Sequence, residues 1–363
     1  MSWIKSLFSK DSLIIVLISI CLLTLINFFF VYNSPTLIKL IPNKIVQFIS
    51  PCYRTLFHHD RGSFSQTNFV FGDSFSEGSG DEFLNSDPQY GIFNKLHISN
   101  ESELIFGRGG HGNRGTVIEF KQCFPLLSSF TNLSLSEIKN YNVTFVFYEG
   151  NDLNNNLVEE DRKVYKFIYK IKFFFPLYEY VYKEIRQKIY LVYQKLRLNN
   201  PIPVNEELLP ISQSGIKIKR YPQSAATELS KIELKKSINI FFKSLANIRK
   251  ELPNAQNYNI LYLPSVAASY HLDGIIRVQS YKEEVYFETT GEFNADRSIQ
   301  IREFINSSVT ELGWNFCDTT NKILNTTSKG HAVHGPKDWK HFNKLGYNIV
   351  AQSYKQCFLP IIN

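Results

Sequence analysis

The sequence predicts an α/β protein in which a parallel sheet is covered by helices on both faces. Short apolar runs of strand length recur at 68–71, 103–106, 143–148, 259–263 and 314–317. Helical patterns lie between or after them, near 115–130, 227–251, 297–312 and 343–358. The runs are nearly continuous in apolar residues rather than alternating, as strands buried on both sides are. Strands alternating with helices then imply a three-layer α/β/α domain over residues 66–363.

The elements before this domain read differently. Residues 1–12 form a short tail with Lys5 and Lys10. Residues 13–32, LIIVLISICLLTLINFFFVY, contain no charge and are long enough to cross a hydrocarbon core as a helix. The run ends in Phe28-Phe29-Phe30-Val31-Tyr32, which offers no small-residue cleavage site and suits a membrane interface. It is therefore expected to be a retained single-span anchor, with the bulk of the chain outside the cytoplasm. Residues 33–65 read as a linker. Cys21 lies in the span, while Cys52, Cys123, Cys317 and Cys357 can stay free or pair as disulfides in three ways. No Cys or Cys/His spacing suits zinc.

The gap between the third and fourth strands is too long for one crossover, and an insert is expected at about 155–225. Within it, residues 163–200 carry nine Lys and Arg against Glu179 and Glu184, interleaved with aromatics. Leu177, Val181, Ile185, Ile189, Val192 and Leu196 recur at helical spacing. This is either a helix packed on the domain with a solvated basic face, an element lying on anionic headgroups, or a cap over a site. Such a stretch can also bind nucleic acid, but a membrane anchor argues against that partner.

The chemistry is concentrated in four separated stretches. Phe69-Val70-Phe71 ends abruptly in Gly72-Asp73-Ser74, which places a serine at the mouth of a strand, where α/β proteins bind ligands. Serine needs a base to take its proton, and histidine is the usual one near neutral pH. Asp338 and His341, three apart before the last helix, can supply the base and the carboxylate that orients it. The run 106–115, FGRGGHGNRG, follows the second strand, and its glycines let backbone N–H groups converge on a developing negative charge. It lacks the spacing of a dinucleotide or Walker loop. After the third strand comes Gly150-Asn151-Asp152, whose Asn can donate a side-chain N–H to the same oxygen.

Taken in this order, the four stretches resemble the SGNH (GDSL-type) hydrolase superfamily, from about residue 68 to 354. The resemblance implies a flavodoxin-like sheet of about five parallel strands, with no metal and no cofactor. It implies Ser74 as nucleophile and first oxyanion N–H, Gly110 as the second N–H, Asn151 as side-chain donor, His341 as general base and Asp338 as its orienter. Gly107 and Gly109 are alternatives for the place of Gly110. Asp73 would serve the turn. The chain departs from the family pattern in lacking a residue between Gly150 and Asn151, and in having Phe75 where Leu is usual.

The resemblance, together with the anchor expected at 13–32, implies a membrane-anchored serine esterase that works through an acyl-enzyme, for instance removing acetyl from a cell-surface or exported glycan. An O-acyltransferase that modifies an exported polysaccharide would use the same triad. A non-catalytic glycan-binding module is the third reading, and the presence of all four site residues argues against it.

Overall fold

The computed structural model describes residues 66–80, 101–107, 109–131, 138, 140–161, 209–279 and 286–359, together with Ile18 and Leu22. The chain divides into two compact units. One comprises residues 1–57, 122–132 and 163–201; its described residues are Ile18, Leu22 and 122–131, all helical. The tail 1–12, the rest of the 13–32 run, the linker 33–65 and the basic segment 163–200 lie outside the described residues. Among the described residues, no helix is long and apolar enough to cross a membrane.

The second unit comprises residues 58–121, 133–162 and 202–363. It is built on a five-stranded sheet of β1 (Gln66–Gly72), β2 (Glu101–Gly107), β3 (Tyr141–Tyr148), β4 (Asn257–Leu263) and β7 (Asn315–Asp318). All neighbouring pairs are parallel, in the order β2-β1-β3-β4-β7. The sheet thus grows outward from β1 in both directions, the doubly wound order in which ligands sit at the carboxyl ends of the two central strands. A two-stranded antiparallel ribbon, β5 (Ile275–Gln279) with β6 (Tyr286–Thr290), is a separate sheet that the sequence did not announce.

Alternation along the strands sorts the core into two chemically different halves. Phe69 and Phe71 of β1, Phe106 of β2, and Phe145 and Phe147 of β3 point to one face. There they meet Phe120 of α2 (Asn113–Thr131) and Phe241 of α4 (Lys231–Glu251), with ring centroids 4.8–6.1 Å apart. Val70, Val146, Leu261, Leu263 and Cys317 point to the other face, against Val350, Ala351 and Tyr354 of α7 (Lys344–Phe358). Cys317 and Cys357 form a disulfide that ties α7 to the edge strand β7. Seven phenylalanines therefore share one layer, where each buried ring contributes about 1.5–3 kcal/mol.

Local chemistry fixes where the helices begin. Ser230 and Glu233 form a reciprocal capping box that starts α4 at Lys231 rather than 227. Thr290 caps α5 (Gly291–Glu311), which starts earlier than the pattern at 297–312 suggests. Two further helices escaped the periodicity, α3 (Asp152–Asp161) and α6 (Thr320–Thr327). The first reads DLNNNLVEED, so its buried face is largely polar and leaves no apolar repeat. Residues 155–161 of the expected insert thus belong to α3, and 209–225 bury Ile218, Tyr221, Gln223 and Ala225 in this unit.

Candidate active site

The strand β1 ends at Gly72, and Asp73 caps the single-turn helix α1 (Ser74–Glu77) by accepting the Phe75 N–H at 2.9 Å. The turn is closed by Gly78, whose φ of 82° suits a left-handed cap. This puts Ser74 at the first helical position, where its own N–H has no partner within the helix. Gly107, at the end of β2, allows the close approach: a Cβ there would lie 2.3 Å from the Gly72 carbonyl and 2.4 Å from Ser76 Oγ.

The histidine arrives on a loop clamped at both ends. His334 and Phe342 form an antiparallel bridge, and the Asn343 N–H donates to the Val333 carbonyl at 2.9 Å. Asn343 also caps α7, and its side-chain N–H reaches the Ala332 carbonyl at 3.0 Å. Between these clamps, His341 Nε2 stands 2.9 Å from Ser74 Oγ and its Nδ1 2.6 Å from Asp338 Oδ2. A carboxylate only accepts, so Nδ1–H donates to Asp338 and Nε2 is left to accept the serine hydroxyl proton. Ser74 Oγ also lies 3.4 Å from Asp73 Oδ2, a longer and weaker contact than that to His341.

The electrostatics follow from burial and partners. Burial alone would raise the pKa of Asp338, but the hydrogen bond from His341 and the imidazole's charge hold it down to about 2. Phe75 supports the imidazole from one side, with ring centroids 5.1 Å apart, and lies tilted against Tyr148 at 4.0 Å. The Asp338 and His341 side chains keep 16% and 18% of their surface exposed, while Ser74 is buried. Asp73 is fully inside, and burial pushes its carboxyl up, opposed by the Phe75 N–H, His341, Asn151 and Ser74.

Asn151 follows β3, the strand beside β1, and its carboxamide lies close enough to Asp73 to help hold that carboxylate. The turn before it is tight because Gly150 folds against the Tyr148 ring, where a Cβ would lie 2.5 Å from the phenol. Gly110 lies in the turn after β2 at a φ of 81°, in the left-handed region. The structure therefore unites Ser74, His341 and Asp338 through hydrogen bonds, and joins Asn151 to them through Asp73. Gly110 lies at the carboxyl end of β2, the strand on the other side of β1.

Sequence reasoning missed the groups that hold this edge together. Glu159 accepts the N–H groups of Gly112 and Gly115 at 2.8 and 2.9 Å, and burial pushes its pKa up to about 7. Asp152 accepts from the Tyr148 N–H at 2.9 Å and from Asn113 Nδ2 at 3.0 Å. Burial, then the charge of Asp73, push its carboxyl well up. The signal was present as Asp152, Asn155, Asn156 and Glu159, which are polar at helical spacing. His334 was missed as well: it is buried, its Nδ1 lies 3.1 Å from the Tyr270 hydroxyl, and burial lowers its pKa to about 3. Among the described residues, no group of His, Cys, Asp and Glu has the arrangement of a metal site.

No family model matches the chain, and no curated protein matches it. Among solved structures the chain is similar to a member of the lipolytic protein G-D-S-L family from Veillonella parvula DSM 2008. That likeness is 10% in identity, covers 82% of this chain and 100% of the other, and has a TM-score of 0.39. It is also similar to LAE5, an alpha/beta hydrolase enzyme from the metagenome of Lake Arreo, Spain, at 9% identity over 82% of this chain and 95% of the other, with a TM-score of 0.36. Similarity at this level carries no argument about chemistry, which rests on the distances above.

Proposed function

We propose that this chain is a serine esterase whose nucleophile is Ser74. The observation that carries the reading is the continuous hydrogen-bonded chain from Ser74 Oγ through both imidazole nitrogens of His341 to Asp338. Serine is a weak nucleophile until a positioned base removes its proton, and a carboxylate on the far nitrogen holds the correct tautomer.

In the proposed reaction, Ser74 Oγ bonds to the ester carbonyl carbon while its proton passes to His341 Nε2. The carbonyl oxygen becomes an oxyanion, for which the Ser74 N–H, the Gly110 N–H and Asn151 Nδ2 are the candidate donors. Collapse expels the alcohol, which takes the proton from His341, and leaves an acyl group on Ser74. Water then gives its proton to His341 and attacks the acyl carbon, releasing the acid and restoring the hydroxyl. Asp338, held ionised by its partner, stabilises the imidazolium in both halves.

The substrate proposed from the sequence is an acylated glycan met outside the cytoplasm, with residues 13–32 as the membrane anchor. The full chain in detergent is expected to hydrolyse p-nitrophenyl acetate and to be labelled at Ser74 by a fluorophosphonate. Ser74→Ala is expected to lose both properties; turnover by that variant at the parent's rate removes the assignment. Product analysis with a glycan present separates hydrolysis from transfer, since transfer yields an O-acylated sugar instead of free acid.

A further inference from the structure

Helix α3 does more than begin beside Asn151. Four polar side chains on its buried face reach residues 111–115 of the glycine turn and the start of α2. Asn155 Nδ2 donates to the His111 carbonyl at 3.1 Å. Asn156 Oδ1 accepts the Asn113 N–H at 2.8 Å while its Nδ2 donates to Asn113 Oδ1 at 2.7 Å. Asp152 takes the Asn113 amide, and Glu159 holds Gly112 with one oxygen and Gly115 with the other. The turn lies flat on the helix at Gly112, where a Cβ would lie 2.8 Å from Asn156 N and Oδ1.

This arrangement answers a specific difficulty. Gly109-Gly110 is backbone with the widest conformational freedom, and an N–H there points in a useful direction only if the chain beyond it is held. A carboxylate that accepts two backbone N–H groups makes charge-assisted bonds, roughly twice as strong as neutral ones. A glutamine could accept only one of the two, and its amide hydrogens would face the other N–H.

We propose that Glu159 is a positioning residue for the oxyanion hole: its buried carboxylate fixes the turn 109–115, and with it the direction of the Gly110 N–H relative to Asn151. The assignment rests on the reading of Ser74 as an acyl-forming nucleophile. One helix then sets both non-serine donors, Asn151 at its start and Gly110 through Glu159 near its end.

The test compares p-nitrophenyl acetate with its thionoester counterpart, in which sulfur replaces the carbonyl oxygen and accepts hydrogen bonds poorly. With Glu159→Gln, kcat for the oxygen ester is expected to fall about 10–100-fold with little change in KM, because the lost bonds act on the transition state. The thionoester rate is expected to fall less, so the oxygen-to-sulfur preference shrinks. Asn155→Ala, which withdraws a single bond from the same turn, should shrink it by a smaller factor and serves if the glutamine variant melts at the assay temperature. An unchanged preference in a folded variant, whatever its rate, overturns the role of Glu159 and leaves the esterase reading standing. Absence of Ser74-dependent turnover in the parent protein overturns both.

Discussion

The chain Ser74–His341–Asp338 and the network that α3 makes with the glycine turn stand at the carboxyl ends of neighbouring strands, yet they are built on opposite terms. The first joins segments 267 residues apart through a single hydrogen bond to Ser74, and it keeps part of its surface open. The second is buried, and nearly every member has two partners. In the proposed reaction the first cluster passes protons to a substrate, which needs access and a lone pair on His341 Nε2 to take the serine proton. A group that must hold backbone in place needs burial and saturation. The difference teaches that polar content alone does not mark reactivity: Asn156 and Glu159 are as polar as His341, but the structure leaves them nothing further to do.

Breaking the first cluster should have the largest effect. His341→Ala or Asp338→Asn is expected to lower kcat for p-nitrophenyl acetate by about 10³–10⁴-fold, the latter by turning the imidazole to the wrong tautomer. Thermal melts should shift little by comparison. A variant of either residue with kcat within threefold of the parent would put the proton transfer elsewhere.

Titration next sets Asp338 of the first cluster against Glu149, a buried acid outside both clusters that shares the raised pKa of Glu159. Glu149 is held by Tyr262 and Ser298 at 2.8 Å each, yet burial pushes its pKa up to about 7, as it does for Glu159. A carboxyl raised in this way contributes stability that is fully present below its ordinary value and lost as pH rises through about 7. Asp338 runs the other way, since its pKa is depressed to about 2 and its contribution disappears only as pH falls towards that value. Urea titrations of the parent and Glu149→Gln from about pH 4.5 to about pH 8.5 should therefore diverge on the order of 3 kcal/mol, the parent losing more. Comparing the two proteins cancels the opposing contribution of His334. Parallel pH dependences would mean that Glu149 does not carry a carboxyl raised by burial.

The smallest expected effect sharpens the saturation argument. Asn113→Ala leaves Asp152 and Asn156 each short of a partner, and should cost about 1–3 kcal/mol of stability. Differential scanning calorimetry reads this directly, and an unchanged melting temperature would show that the network relaxes without loss.

The strands were legible because near-continuous apolar runs of the right length have few other readings, and each of the five became a strand of the sheet. Ser74, His341 and Asp338 were legible as residue types whose chemistry is uncommon in combination. What escaped was polar and local. The apolar pattern could not reveal α3, because much of its buried face makes hydrogen bonds to backbone groups and to the Asn113 side chain rather than apolar contacts. The β5–β6 ribbon escaped for a related reason: β6 reads YFETT and keeps an intermediate or exposed surface throughout, so it carries no core signature. Helix starts moved to Ser230 and Thr290 because a single capping hydrogen bond sets them.

By itself the sequence determined the five strands of the parallel sheet and its helical cover, and singled out Ser74, His341 and Asp338 as candidates, since those follow from composition and order along the chain. Only the tertiary structure decided that His341 stands 2.9 Å from Ser74, that Cys317 joins Cys357, and that Asp152, Asn155, Asn156 and Glu159 together hold residues 111–115. Distances between residues far apart in sequence depend on how β1, β3 and the loop before α7 pack together, and no local preference encodes them.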